Sequence, residues 1–431
     1  MKVNKLMPLL KRSSFINRFK SGQSSFVNTS PVYRAISSES DRSRTNTDLW
    51  SIVLKNPDIN PLRQNFIAKA NHRSKVSVEE GVLRSDLPDA LLKNLTDDLS
   101  KVGVSYPGPY GVPAVLDQLA SHINEKGLNV SSDQLLINYG VSDGLTRSMK
   151  SLLSGFNSPQ VLTFSPFFKP QEAMIRRANR SASLVVCDNQ LNEFRPSFDT
   201  LKEKITRTSR VLLLTTPHNP SGVVYNVNEL TSAIRFCKEH KLFLIIDATY
   251  FDMSEVNCYG RLQSALDVEP FSNLAVLGTN SKLLSAAIRS GWLWTPNLDL
   301  REHIAHGVTI DMAGISTMAS IATSVTINHF FTLQMGYTRT LYLKELWLQC
   351  LSELGLPFPA FCEGGLYLTI PTPNQMPGSV FTRLLHEKYD LGVVPFQYFV
   401  QDTSDDPPFI RVACVDRPST QFAIECYKKS F

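Results

Sequence analysis

No stretch of this chain approaches eighteen consecutive apolar residues, which argues against a membrane span. There is no Cys-x-x-Cys pair. Seven cysteines lie dispersed from Cys187 to Cys426. An odd, scattered set reads as reduced thiols in a cytoplasmic compartment, not as a disulfide framework. No metal site is expected, and no internal repeat is visible. Acid is missing from residues 1–38, which carry Lys2, Lys5, Lys11, Arg12, Arg18, Lys20 and Arg34 before the first acid, Glu39. Beyond that segment the charges nearly balance: 44 Lys and Arg face 39 Asp and Glu over the whole chain, a formal net charge of +5. Charge therefore gives little reason to expect a nucleic-acid partner. The basic, Ser-rich start, with Leu6, Leu9, Leu10, Phe15, Ile16 and Phe19 interspersed, fits a transit peptide for a mitochondrion or another organelle. A disordered basic extension is the alternative, since Pro8 interrupts any amphipathic helix there.

What is present suits an enzyme. With 431 residues, 42% hydrophobic and 19% charged, the chain can build one large core or two domains. From residue 134 to 248 short apolar runs alternate with amphipathic stretches. Strands are expected at 135–138, 161–164, 183–187, 211–215, 243–246 and 274–277. Helices are expected at 142–153, 169–178, 198–205 and 227–240. This is the βαβ rhythm of a mostly parallel sheet covered by helices, an α/β three-layer domain. Ligands of such sheets bind beyond the carboxyl ends of the strands. The tail reads differently: helices at 312–342 and 344–354, then short strands near 366–370, 391–394 and 410–413. That pattern predicts a smaller α+β domain. The expected division is a basic or targeting extension (1–45), an N-terminal segment serving the small domain and dimer contacts (46–125), a ligand-binding large domain (126–298) and a C-terminal small domain (299–431).

Several polar residues follow the strand runs in a set order. Asn219-Pro220-Ser221-Gly222 comes first, then Asp247-Ala248-Thr249-Tyr250, then Asn280-Ser281-Lys282, then Arg289. These groups can hold an aromatic aldehyde and use it as an electron sink. Lys282 can form a Schiff base when its amine is free; taken alone it reads as a solvated lysine. Asp247 ends a run buried on both faces, where an acid needs a partner. A protonated pyridine nitrogen suits it, and a helix N-cap or salt bridge is its commoner fate. Tyr250 and the Asn219 amide can reach a ring oxygen; otherwise they are loop packing and a turn signal. Gly140-Val141-Ser142 links a strand to a helix, where free N–H groups bind phosphate, and Thr279 and Arg289 can add a hydroxyl and a charge. Phe168 can stack on a ring or be core. Arg411, within an apolar strand pattern, needs an anion: a substrate carboxylate or a buried Asp.

Together, and in this order, the residues resemble the class I/II aminotransferases of the pyridoxal-phosphate fold type I superfamily, over roughly residues 78–415. The resemblance implies pyridoxal 5'-phosphate as cofactor, Lys282 as Schiff-base lysine, Asp247 at the pyridine nitrogen, and Tyr250 and Asn219 at the ring oxygen. It implies Val141, Ser142, Thr279 and Arg289 around the phosphate, Phe168 stacked on the ring and Arg411 at the α-carboxylate. Ser105-Tyr106-Pro107-Gly108-Pro109-Tyr110-Gly111 looks like the family's Tyr-rich segment, in which Tyr106 reaches the phosphate of the neighbouring subunit of a homodimer with shared sites. Glu80-Gly81 opens what looks like the N-terminal loop whose glycine borders the substrate. Two departures stand out. Residues 283–288 lack the family's glycine, so Arg289 comes one residue early, and Phe168 stands where tyrosine or tryptophan is often found.

The implied reaction is a ping-pong transfer of an amino group between an α-amino acid and a 2-oxo acid. Lys282 acts as general base and Asp247 keeps the ring nitrogen protonated. Between Arg289 and Arg339 only Arg301 is available to clamp a second carboxylate, which favours a neutral or aromatic amino acid. The same pocket type also serves lyases, cyclising synthases and decarboxylases, and a non-catalytic cofactor-binding regulator is a further alternative.

Overall fold

The computed structural model describes residues 76–81, 89–100, 103, 105–187, 194–357, 363–402 and 404–431. The basic extension and most of the Glu80–Asp86 segment lie outside the described residues. The first strand, β1 (Val76–Ser77), is followed by the strands of the main sheet: β2 (Leu135–Asn138), β3 (Gln160–Phe164), β4 (Ser183–Cys187), β5 (Ser209–Thr215), β6 (Phe243–Asp247), β7 (Leu274–Thr279) and β8 (Gly291–Trp294). The last four are β9 (Tyr367–Pro371), β10 (Leu391–Gly392), β11 (Val394–Pro395) and β12 (Phe409–Ala413).

The main sheet has the order β2-β8-β7-β6-β5-β3-β4. Only β8 runs against its neighbours. Its strands are short apolar runs because both faces are covered. Along β6, Leu244 and Ile246 join one buried cluster, and Phe243 and Ile245 the other. Alternate residues of β5 and β7 divide the same way, Leu212 and Leu214 against Val211 and Leu213, and Leu274 and Val276 against Ala275 and Leu277. The sheet is therefore the middle of three layers, and the α/β expectation holds. Register brings the functional ends together: Thr215 lies beside Asp247, and Thr279 and Asn138 both lie opposite Gly291. One edge thus collects the ends of β2, β5, β6 and β7.

A second sheet, β11-β12-β9, is antiparallel. Its core joins Leu368, Ile370, Ile410 and Val412 to Trp347, Phe381 and Tyr427. β1 pairs with β10, bringing residue 76 to the C-terminal part of the chain. Another apolar cluster contains Tyr250, Leu283 and Leu284 together with Tyr367 and Ala413, so the turns after β6 and β7 pack against β9 and β12.

The tail differs from expectation in where its helices break. They run Leu298–Met312, Thr317–Asn328 and Phe330–Glu353. The first ends on Ala313 at φ +60, before Gly314 at φ +134. The break expected at residue 343 is absent, because Leu343 and Lys344 are buried inside one continuous helix. β8 was also not expected. Among the described residues, no helix is long and apolar enough to cross a membrane.

Candidate active site

A cavity of about 170 Å³ opens at the strand-end edge. Its lining includes Val141, Ser142, Phe168, Asn219, Asp247, Tyr250, Thr279, Lys282 and Arg289. These residues span almost 150 positions of sequence, and the sheet order brings them to one place.

Asp247 is the last residue of β6 and is 5% exposed. Its Oδ1 accepts from the Thr249 amide at 3.1 Å and the Thr249 hydroxyl at 2.6 Å; its Oδ2 accepts from Gln171 Nε2 at 3.0 Å. All three donors are neutral, and among the described residues no cation pairs with it directly. Burial raises the carboxyl above its ordinary value, while Thr249, Gln171 and the nearby Lys282 charge work in the opposite direction.

Lys282 follows β7 in a turn, and its Nζ donates to the Gly81 carbonyl at 2.8 Å. The Tyr250 hydroxyl donates to the Tyr367 hydroxyl at 3.0 Å. Burial pushes the Tyr250 phenol well up, and Tyr367 adds to the effect. At Tyr367 burial also raises, but the Lys282 and Arg411 charges and the Tyr250 hydrogen bond outweigh it, and that phenol goes down.

Gly140, Thr279 and Arg289 bring a helix start, a hydroxyl and a guanidinium together beside the cavity. Gly140 caps the helix Val141–Leu153 at φ +97. A Cβ there would lie 2.9 Å from Arg289 Nη2 and 3.5 Å from Thr279 Oγ1, so the missing side chain leaves room between a cation, a hydroxyl and a helix start. The Arg289 guanidinium is braced by Ser281 Oγ at 3.2 Å, Ala286 O at 3.0 Å and Tyr139 O at 3.0 Å. Arg289 itself takes φ +57.

Arg411, in β12, is 6% exposed. Its Nη1 donates to Asn219 Oδ1 at 3.0 Å, and its Nη2 donates to the Glu79 carbonyl. Among the described residues its Nε has no partner, and no carboxylate pairs with it. Arg411 and Gly81 do not line the cavity, but each touches a residue that does, through Asn219 and Lys282. Tyr106 stands outside this grouping: it is 87% exposed and absent from the cavity lining. Arg301 is spent elsewhere, donating to Leu135 O at 3.1 Å and to Glu302 at 2.9 Å. Thr249, Gln171 and Tyr367 are among the lining residues to which the sequence assigned no role. Thr249 sits inside a motif already singled out; Gln171 and Tyr367 carry no local signal, since their contacts cross 76 and 117 positions of chain.

The family model for class I and II aminotransferases matches residues 73–425. The chain belongs to that family. The aminotransferase is 25% identical over 334 residues to an aspartate aminotransferase of Thermotoga maritima, covering 76% of this chain and 83% of that one. It is 22% identical to a probable kynurenine–oxoglutarate transaminase of Saccharomyces cerevisiae, with 74% and 73% covered. A solved mutant of Thermus thermophilus aspartate aminotransferase shares its fold at a TM-score of 0.75 and 20% identity, covering 87% of this chain and 96% of that one. An aromatic aminotransferase structure from Pyrococcus horikoshii does so at 0.73 and 18%, covering 82% and 95%. The protein is a pyridoxal-phosphate-dependent aminotransferase acting on amino acids and 2-oxo acids. Its residues fit that cofactor. A buried acid with only neutral donors suits a protonated ring nitrogen, the Gly140 cradle suits a phosphate, and a lysine lines the same cavity.

Proposed function

We propose that this aminotransferase works on a neutral or aromatic α-amino acid, with Lys282, Asp247 and Tyr250 as its catalytic groups. The observation carrying the assignment is that the buried Asp247 and Lys282 open into one cavity, with the buried Arg411 one contact away. Bound there, pyridoxal phosphate supplies an aldehyde that takes up the amino group and a ring that draws electrons from the α-carbon. Lys282 would hold the cofactor in the resting enzyme; its Nζ, freed when the amino acid takes its place, would take the α-proton and deliver it to the carbon that had carried the aldehyde. Asp247 keeps a proton at the ring nitrogen. Tyr250 and the Nδ2 of Asn219 would donate to the ring oxygen, Phe168 would stack on the ring, and Val141, Ser142, Thr279 and Arg289 would hold the phosphate. Arg411, already fixed through Asn219, takes the substrate carboxylate, and Gly81 borders that substrate. The occupied Arg301 and the apolar Leu145, Phe168 and Met174 of the lining support a neutral or aromatic side chain.

The exposed Tyr106 supports a homodimer with shared sites, because it is free to reach a neighbouring subunit's phosphate. The division at residues 125 and 298 into an N-terminal segment, a cofactor-bearing part and a C-terminal part belongs to the same reading, as does a cytoplasmic location, supported by the dispersed cysteines. The test is a spectral titration of purified protein with single amino acids, alongside product analysis with and without a 2-oxo acid. Conversion by neutral or aromatic amino acids, with turnover that needs the 2-oxo acid, is expected. Products formed without it would replace amino transfer by elimination or decarboxylation.

A further inference from the structure

Tyr367 has no part in the chemistry just described, yet its polar neighbours are the groups that do. It opens β9, is 5% exposed and lines the cavity. Its hydroxyl accepts the Tyr250 proton at 3.0 Å, and the two rings meet edge to face at 5.8 Å. The Arg411 guanidinium carbon lies 4.0 Å from the Tyr367 ring centroid, within cation–π range. Gly81, whose carbonyl holds Lys282, fits against this phenol only as glycine: a Cβ there would lie 2.1 Å from the Tyr367 hydroxyl oxygen. One side chain therefore touches the ring-oxygen donor, the carboxylate receptor and the backbone that anchors the lysine.

A phenol has one proton to give. With Tyr250 donating to Tyr367, that proton is turned away from the cofactor. When Tyr250 turns its proton to the ring oxygen, Tyr367 can donate to Tyr250 in return. The reversal needs only two O–H rotations.

We propose that Tyr367 is a positioning residue for amino transfer: its hydroxyl, by donating to Tyr250, strengthens Tyr250 as a donor to the cofactor, and its ring orients Arg411 for the substrate carboxylate. This rests on the roles proposed above for Tyr250 and Arg411. A Tyr250 that receives a hydrogen bond is the better donor, and better donation favours the deprotonated form of the bound cofactor.

The test compares holoenzyme of the wild type, Tyr367→Phe and Tyr367→Leu, using the pH midpoint of the bound cofactor's visible band and the affinity for an unreactive monocarboxylate. Tyr367→Phe keeps the ring and is expected to raise the midpoint by roughly half a pH unit or more, with kcat falling and KM near that of the wild type. Tyr367→Leu is expected to show the same shift and to weaken monocarboxylate binding roughly tenfold. An unmoved midpoint in Tyr367→Phe, or wild-type monocarboxylate affinity in Tyr367→Leu, overturns the proposal. Survival of the visible band in Lys282→Ala overturns the underlying site reading, and the proposal with it.

Discussion

At the scale of single residues, Asp247 illustrates how a buried charge is tolerated. Three neutral donors hold it at the end of β6, which leaves its charge for a cationic partner in the cavity. Asp247→Asn keeps the shape and loses the charge, and kcat should fall about 10²–10³-fold; rates measured at saturating cofactor check this. Gly140→Ala places a methyl group beside Arg289 on backbone at φ +97. It should weaken cofactor binding well before it affects the amino-acid KM, as equilibrium dialysis against free cofactor would show. Asp247 and Lys282 were legible in the sequence because each follows an apolar strand run. Arg289 was legible despite its early place, since it still lines the cavity. Gln171 and Tyr367 were not, because each reaches its partner only after the sheet and β9 have assembled.

Among elements, the parallel strands were readable because burial on both faces makes them short continuous apolar runs. β8 was not: Gly291–Trp294 is four residues long and antiparallel, and it lacks a helix on its way from β7. The tail helices misled because Leu343 and Lys344 gave no sign that the helix runs through them. The helix Val227–Glu239 has a clear start signal, a capping box in which Asn226 accepts from the Glu229 amide at 3.0 Å and Glu229 accepts from the Asn226 amide at 2.7 Å. Glu229 also pairs with Arg195 at 3.0 Å. Asn226→Ala should cost about 1 kcal/mol of stability with no change in KM, measured by urea unfolding of the holoenzyme.

For the whole molecule, stability should fall on mild acidification. His218 is buried, with Nε2 bonded to the Pro166 carbonyl at 2.9 Å and Nδ1 to Ser221 Oγ at 2.7 Å. Burial lowers it from 6.5 to about 4, against the Pro166 hydrogen bond. Burial and the Lys126 charge lower His122 to about 4 as well. The unfolded chain then binds protons that the folded chain refuses. Stability is full above pH 6.5 and is lost as pH falls toward 4. Urea midpoints at pH 7.5 and pH 5 should differ, and the difference should shrink in His218→Gln. At the same scale, a shared-site homodimer predicts a sedimenting species of twice the chain mass. It also predicts weaker cofactor binding in Tyr106→Phe although Tyr106 is absent from its own subunit's cavity lining.

The chemistry as a whole depends on one amine. Borohydride reduction of the cofactor-loaded enzyme, followed by peptide mapping by mass spectrometry, locates that amine directly. The reduced cofactor is expected on the peptide containing Lys282 and on no other. Its appearance on a different lysine, or on none, would contradict the account.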